Sequence, residues 1–132
     1  MLTGGCQCGA VRYEVDGEAA HHALCHCADC RASSGAPATA WMAFVADNFR
    51  VTSGEAVAYN SSGASRRHFC GACGTGLYFI NDDMLPGIVD IQSATLDNAQ
   101  DHAPGAQIQT AERLGYMADL GNLPEFERYP GQ

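Results

Sequence analysis

The chain has 132 residues, 46% of them hydrophobic, with 15 Gly and with seven Arg and no Lys against 15 acidic residues, for a net charge of −8. That length fits a single domain spanning 1–132, and the acidic balance excludes the broad basic face that nucleic acid requires. No apolar run approaches the roughly 20 residues of a membrane helix.

In chain order, Val11, Tyr13 and Val15 alternate with Arg12 and Glu14, the period-two pattern of a half-buried strand. The segment ALCHC at 23–27 reads as a second strand running into a cysteine loop, and Ala32 to Gly35 suits a tight turn or one helical turn. ATAWMAFV at 38–45 is apolar on both parities and predicts a strand buried on two faces. A short strand follows at Phe49 to Thr52, closed by Ser53-Gly54, and Val57 to Tyr59 leads into the turn-rich NSSGAS. SRRHF then runs as a strand into the knuckle Cys70-Gly-Ala-Cys73-Gly, whose glycines allow left-handed backbone. Gly76 to Ile80 and Ile88 to Gln92 predict two more strands, 97–105 an irregular loop, and 106–111 a last strand. The tail from Leu120 has apolar side chains but little regular pattern. The expected fold is all-β or β-rich, built from many short antiparallel strands.

The seven cysteines fall into Cys6-x-Cys8, Cys25-x-Cys27-x-x-Cys30 and Cys70-x-x-Cys73. The start, MLTGGCQCGAV, lacks the basic-then-apolar pattern of a signal peptide. The expected setting is therefore the cytoplasm, where thiols stay reduced and read as metal ligands before disulfides. A zinc ion holds thiolates at roughly 2.3 Å in a tetrahedron. The pairs Cys6/Cys8 and Cys70/Cys73 together make a complete four-thiolate, structural site. Cys25, Cys27 and Cys30 supply three ligands from one loop, leaving an exchangeable position of the kind catalytic zinc keeps. Two alternatives stand beside this partition: His26 or His68 completes the second site and makes both structural, or the thiols pair as disulfides. Near the triplet, Asp29, Arg31, Ser33 and Ser34 are the closest polar side chains. Arg31, with Arg66 or Arg67, is the positive charge an anionic small molecule would seek. Trp41, Phe44, Phe69 and Tyr78 read as core, with one of them free to wall a pocket.

The stretches GGCQCGAVRYEV at 4–15, CHCADCRASSGAP at 25–37, YNSSGASRRHFCGACGTGLYF at 59–79 and SATLDN at 93–98 resemble the glutathione-dependent formaldehyde-activating enzyme family. The resemblance implies a β-tent-like fold with two zinc ions, one on Cys6, Cys8, Cys70 and Cys73, the other on Cys25, Cys27 and Cys30. Arg67, in the R-x-F-C stretch, also matches the family pattern. The last quarter departs from that pattern: Gln107 falls where the family shows His, and Tyr116 lies near the position of a late Trp.

What the resemblance implies is a carbon–sulfur lyase that joins glutathione to formaldehyde as S-hydroxymethylglutathione, with detoxification as its purpose. Cys27, Asp29 and Arg31 are the residues expected to carry catalysis, and Arg67 and Ser34 those expected to bind the thiol. The partners are then a small thiol and an aldehyde, with a homodimer compatible and neither nucleic acid nor membrane required. The competing reading is a zinc-stabilised protein-binding module without catalysis, but such a module gains nothing from an incomplete, oxidation-prone site.

Overall fold

The computed structural model describes residues 1–131 and forms two β-sheets joined by short turns. The smaller sheet contains β1 (Leu2–Gly5), β2 (Arg12–Val15) and β5 (Phe49–Ser53), in the order β1-β2-β5 and antiparallel throughout. The larger contains β3 (His21–Cys25), β4 (Thr39–Val45), β6 (Ala56–Tyr59), β7 (Ser65–Cys70), β8 (Gly76–Asn81), β9 (Ile88–Gln92) and β10 (Ala106–Ile108). Its order is β10-β3-β4-β9-β8-β7-β6. Every pair in it is antiparallel except β10 with β3, which run parallel. The β-rich reading holds, and this parallel edge is its one departure from antiparallel pairing. Among the described residues no helix is long and apolar enough to cross a membrane.

Alternation does what the pattern predicts. Val11, Tyr13 and Val15 turn inward from the small sheet and meet Met42, Phe44, Leu77, Val89 and Ile91 of the large one, all buried. β4 is covered on both sides as its unbroken apolar run requires: Met42 and Phe44 join this core, while Trp41 packs on the opposite face with Cys25, Cys30 and Phe79.

β1 was not apparent in the sequence because LTGG carries no alternating apolar signal. It forms because Tyr13 lies across Gly4, where a Cβ would come within 2.4 Å of the Tyr13 hydroxyl and 2.6 Å of the Thr95 carbonyl oxygen. The same hydroxyl bonds the Thr95 hydroxyl at 2.7 Å, pinning the small sheet to the turn after β9. An ion pair and hydrogen bond from Arg12 to Asp97, which also accepts from Thr3 Oγ1 at 2.7 Å, fasten the same edge from outside.

α1 (Ala28–Ser34) is the single α-helix of the described residues and begins inside the cysteine triplet. Cys27 is its N-cap, its sulfur accepting from the Cys30 N–H at 3.2 Å, a place usually held by Ser, Thr, Asp or Asn. Gly35, left-handed at φ 69°, closes the helix by donating its N–H to the Arg31 carbonyl. The predicted single turn at 32–35 is the end of this helix.

The register sets Arg67, Phe79, Asp90, Ala43 and His21 opposite one another in a row across five strands of the large sheet. Asp90 is buried, its Oδ1 has no hydrogen-bond partner, and the His21 ring lies 3.7 Å away. Burial raises the Asp90 carboxyl above its ordinary value, with His21 opposing the shift. The folded state therefore holds this proton over a pH window in which the unfolded state has released it. Stability falls as pH rises through that window and stays lower above it. Asp90→Asn is expected to raise stability at pH 7, by on the order of 1 kcal/mol, with the gain shrinking as pH falls toward 4. Urea unfolding of the two proteins across that range measures it.

Candidate metal centre and adjoining cavity

Cys6 and Cys8 lie on the turn between β1 and β2, Cys70 at the end of β7, and Cys73 in the turn to β8. Two elements from different sheets thus bring four sulfurs together, all within 4.8 Å of one another. Cys6 and Cys8 are 3.6 Å apart and Cys8 and Cys70 3.8 Å. A tetrahedron with metal–sulfur bonds of about 2.3 Å has an edge of about 3.8 Å, so the spacing fits one thiophilic ion. Gly74, at φ 83°, makes the left-handed step that turns the knuckle back into β8. Gly71, the other glycine of that knuckle, does not take this conformation.

Backbone N–H groups already face the sulfurs. Val11 donates to Cys6 at 3.2 Å and Cys73 to Cys70 at 3.5 Å. The Thr75 hydroxyl lies 3.2 Å from Cys73, and with backbone donors it draws that thiol down to about 5. Cys8 moves the other way: although the Ala10 backbone favours its thiolate, the Cys6 and Cys73 sulfurs push it up to about 11. Crowded sulfurs cannot all ionise unaided, and a divalent cation removes that repulsion.

The second cluster is built from the end of β3 and from α1. Cys25, Cys27 and Cys30 place their sulfurs within 4.8 Å of one another, with Cys30 and Cys25 3.7 Å apart. Burial raises Cys25, and burial together with Cys27 pushes Cys30 up to about 12. Cys27, against the effect of its burial, is lowered because Cys30 and Cys25 both stabilise its thiolate. The set is again one that a cation would ionise as a group.

Among the described residues no histidine, carboxylate or further thiol joins this cluster as a fourth donor. His26 is fully buried and turns toward β10, donating from Nε2 to Gln107 Oε1 at 2.9 Å and leaving Nδ1 without a partner. His68 stacks on Tyr78 with ring centroids 4.3 Å apart and takes no part in either cluster. All seven cysteines are free.

A cavity of about 820 Å³ is walled on one side by α1 and by Trp41, which also packs against Cys25 and Cys30; none of the cluster's three cysteines lines it. Asp29, Ser33 and Ser34 face it from the helix, and Arg67 and Tyr78 from the β7–β8 hairpin. Its size lies within the range that holds a small ligand. Arg67 is the one lining side chain, among the described residues, that is a fixed cation, and Asp29 the one carboxylate. The Arg67 guanidinium sits 5.4 Å over the Phe79 ring, which orients it without neutralising it. His68 also lines the cavity, but burial and the nearby Arg66 lower its pKa, so it adds no charge near neutrality.

Asp29, Ser34 and Arg67 thus meet in one place. Arg66 does not, because its guanidinium donates to the carbonyls of Gly63 and Ser65. Arg31 lies away from this cavity and donates to the Glu112 carbonyl at 3.4 Å. Of the four aromatic residues expected in the core, Phe44 and Trp41 are buried and Tyr78 packs against the core, while Trp41, Phe69 and Tyr78 also wall the cavity. Thr75 and Glu112 were missed. Thr75 lies two residues beyond a thiol, a local cue, whereas Glu112 reaches α1 from 84 residues away and leaves no local signal.

A family model described as glutathione-dependent formaldehyde-activating enzyme matches residues 1–112. Among solved structures, the crystal structure of a Rhodobacter sphaeroides protein, a structural-genomics target, is similar with a TM-score of 0.63. It covers 80% of this chain and 98% of its own at 24% identity, a likeness of fold. No curated protein matches.

The two donor sets lead to different expected losses. Cys27→Ser should cost one bound metal per chain and leave the circular dichroism spectrum intact. Cys70→Ser should abolish cooperative unfolding, because apparent zinc affinities of about 10–16 kcal/mol at four-thiolate sites match or exceed the ~5–15 kcal/mol stability of a typical domain. Metal analysis and thermal melts of the two variants separate these outcomes.

Proposed function

The chain belongs to the glutathione-dependent formaldehyde-activating enzyme family, and from that premise we propose that it is a zinc-dependent carbon–sulfur lyase acting on glutathione and formaldehyde. In the forward direction the thiol sulfur bonds to the carbonyl carbon, the C=O π pair moves to oxygen, and that oxygen takes a proton to give S-hydroxymethylglutathione. The reverse step returns thiol and aldehyde. The observation that carries the reading is the three-sulfur cluster without a fourth donor, joined through α1 and Trp41 to a cavity of about 820 Å³.

Cys6, Cys8, Cys70 and Cys73 would hold a structural zinc, and Cys25, Cys27 and Cys30 a second. Zinc in the second set would supply a cationic centre that lowers the pKa of a thiol brought beside it, ordinarily about 8.5. The remaining roles belong to the chain. Arg67 binds a carboxylate of the tripeptide, held at a fixed distance from the cluster by its seat on Phe79. The Ser34 hydroxyl donates to the Cys30 carbonyl at 2.7 Å and accepts from the Ala36 N–H and, at 3.4 Å, from the Thr39 hydroxyl, so it locks the end of α1 at the cavity wall. Asp29 takes the thiol proton and returns it to the new hydroxyl oxygen; it is the carboxylate nearest in sequence to the cluster that also faces the cavity. Arg31 acts at one remove by fixing the segment around Glu112. A cytoplasmic setting suits this chemistry, since seven free thiols need a reducing compartment.

Exchange NMR of glutathione with formaldehyde tests the proposal. The wild type should accelerate exchange beyond the spontaneous reaction, and Cys27→Ser should not. Asp29→Asn should slow the enzyme-dependent part by about 100-fold. Arg67→Ala should raise the glutathione concentration needed by about tenfold, the value of one charge-assisted hydrogen bond, and should hardly change the response to cysteamine, which has no carboxylate. A wild type no faster than buffer would defeat the reading.

A further inference from the structure

Beyond the cavity, one short segment touches the cysteine loop at successive points from outside. β10 pairs alongside β3, and the His26 N–H donates to the Ile108 carbonyl at 3.1 Å. Gln107 reaches the buried His26 ring, which sits between Cys25 and Cys27. The chain then turns sharply at Gln109, the one described non-glycine residue with positive φ, at 57°. A 3-10 turn, Thr110–Glu112, brings Glu112 back over the start of α1. Its carboxylate accepts from the Ala28 N–H at 3.3 Å, next to Cys27, and its carbonyl accepts from Arg31 at 3.4 Å. Residues 107–112 therefore grip residues 26–31 at four points, and all three cysteines of the open cluster lie within or beside the gripped stretch.

We propose that Glu112, with Gln107, is a positioning residue for the three-sulfur cluster, holding the loop that aims Cys25, Cys27 and Cys30 at one ion and so setting how fast that ion leaves. The proposal rests on the reading that this cluster holds zinc. The grip has a physical reason to matter. Four sulfurs arriving from two sheets constrain one another, whereas three on one loop need their backbone held by something else. Without β10, β3 would be the outer strand of the large sheet, and Cys25 at its end would be held from the β4 side alone. Hydrogen bonds in the shell around metal ligands commonly change metal affinity by about 10–100-fold. The contacts of Glu112 are exposed and long, so the grip is able to open locally at small cost.

The test uses full-length protein loaded with Zn²⁺ and mixed with a chromogenic chelator. The wild type should release zinc in a fast and a slow phase. Glu112→Ala should speed the fast phase about tenfold, leave the slow phase unmoved, and quicken backbone amide exchange at His26, which Glu112 does not touch. Glu112→Gln keeps the acceptor for Ala28 and should restore most of the wild-type rate. If Glu112→Ala releases zinc and exchanges its His26 amide as the wild type does, the assignment is overturned. A wild type holding a single zinc would overturn the metal reading beneath it instead. His26 exchange would then decide on Glu112 alone, quickened exchange supporting the grip and unchanged exchange removing it.

Discussion

The meeting of four sulfurs between two sheets is the constraint on which the rest of the structure depends. Cys6 and Cys8 lie on a turn of the small sheet and Cys70 and Cys73 on the β7–β8 hairpin of the large one, yet all four sulfurs lie within 4.8 Å of one another. Bringing four ionisable groups so close is unfavourable unless a cation compensates, so this contact is at once the strongest candidate tie and the most conditional one. It also fixes the β7–β8 hairpin, because Cys70 ends one strand and Cys73 precedes the other. Arg67 and Tyr78 ride on that hairpin and reach the cavity only where it is held. The four-sulfur cluster and the cavity are thereby coupled through one hairpin.

α1 divides the work at the other side of the cavity among its own faces. In seven residues it presents Cys30 inward to the cluster, Asp29, Ser33 and Ser34 to the cavity, and Arg31 to the outer segment. A helix this short cannot be stable through its own hydrogen bonds. It stands because Cys27 caps its start, Gly35 closes its end and Cys30 packs against Trp41. The same contacts that make the helix therefore aim the sulfurs, and the cavity wall inherits their rigidity.

The strands with strong patterns were legible in the sequence: alternation placed β2, a two-sided apolar run placed β4, and cysteine spacing sorted all seven thiols into the groups the structure assembles. β1 was not legible, since its partner's Tyr13 ring, rather than any property of LTGG, makes it a strand. α1 was read only at its end, because a cysteine N-cap is not an ordinary start signal. The cavity's charge pair was half visible. Spacing left Arg31, Arg66 and Arg67 open and only the family resemblance singled out Arg67; that it shares a cavity with Asp29 required knowing which strand face and which helix face look into the same space.

The departures at Gln107 and Tyr116 raised the question of whether this chain handles a different substrate from others of its family. Their positions bear on it directly. Neither residue lines the 820 Å³ cavity; Tyr116 is 51% exposed in the tail, and Gln107 bonds His26 on the far side of the cysteine loop. A glutamine there accepts the His26 Nε2–H through its amide oxygen, which leaves Nδ1 as the buried, unpartnered nitrogen. A change at this position acts first on how the loop is held and only through the loop on what the cavity meets. Among the residues that face the cavity, the polar Asp29, Ser34 and Arg67 lie in the stretches that match the family pattern, whereas Trp41 and Gln92 lie outside them. The physical expectation is then that selectivity stays with the cavity wall, and that the altered tail tunes the grip on the open cluster.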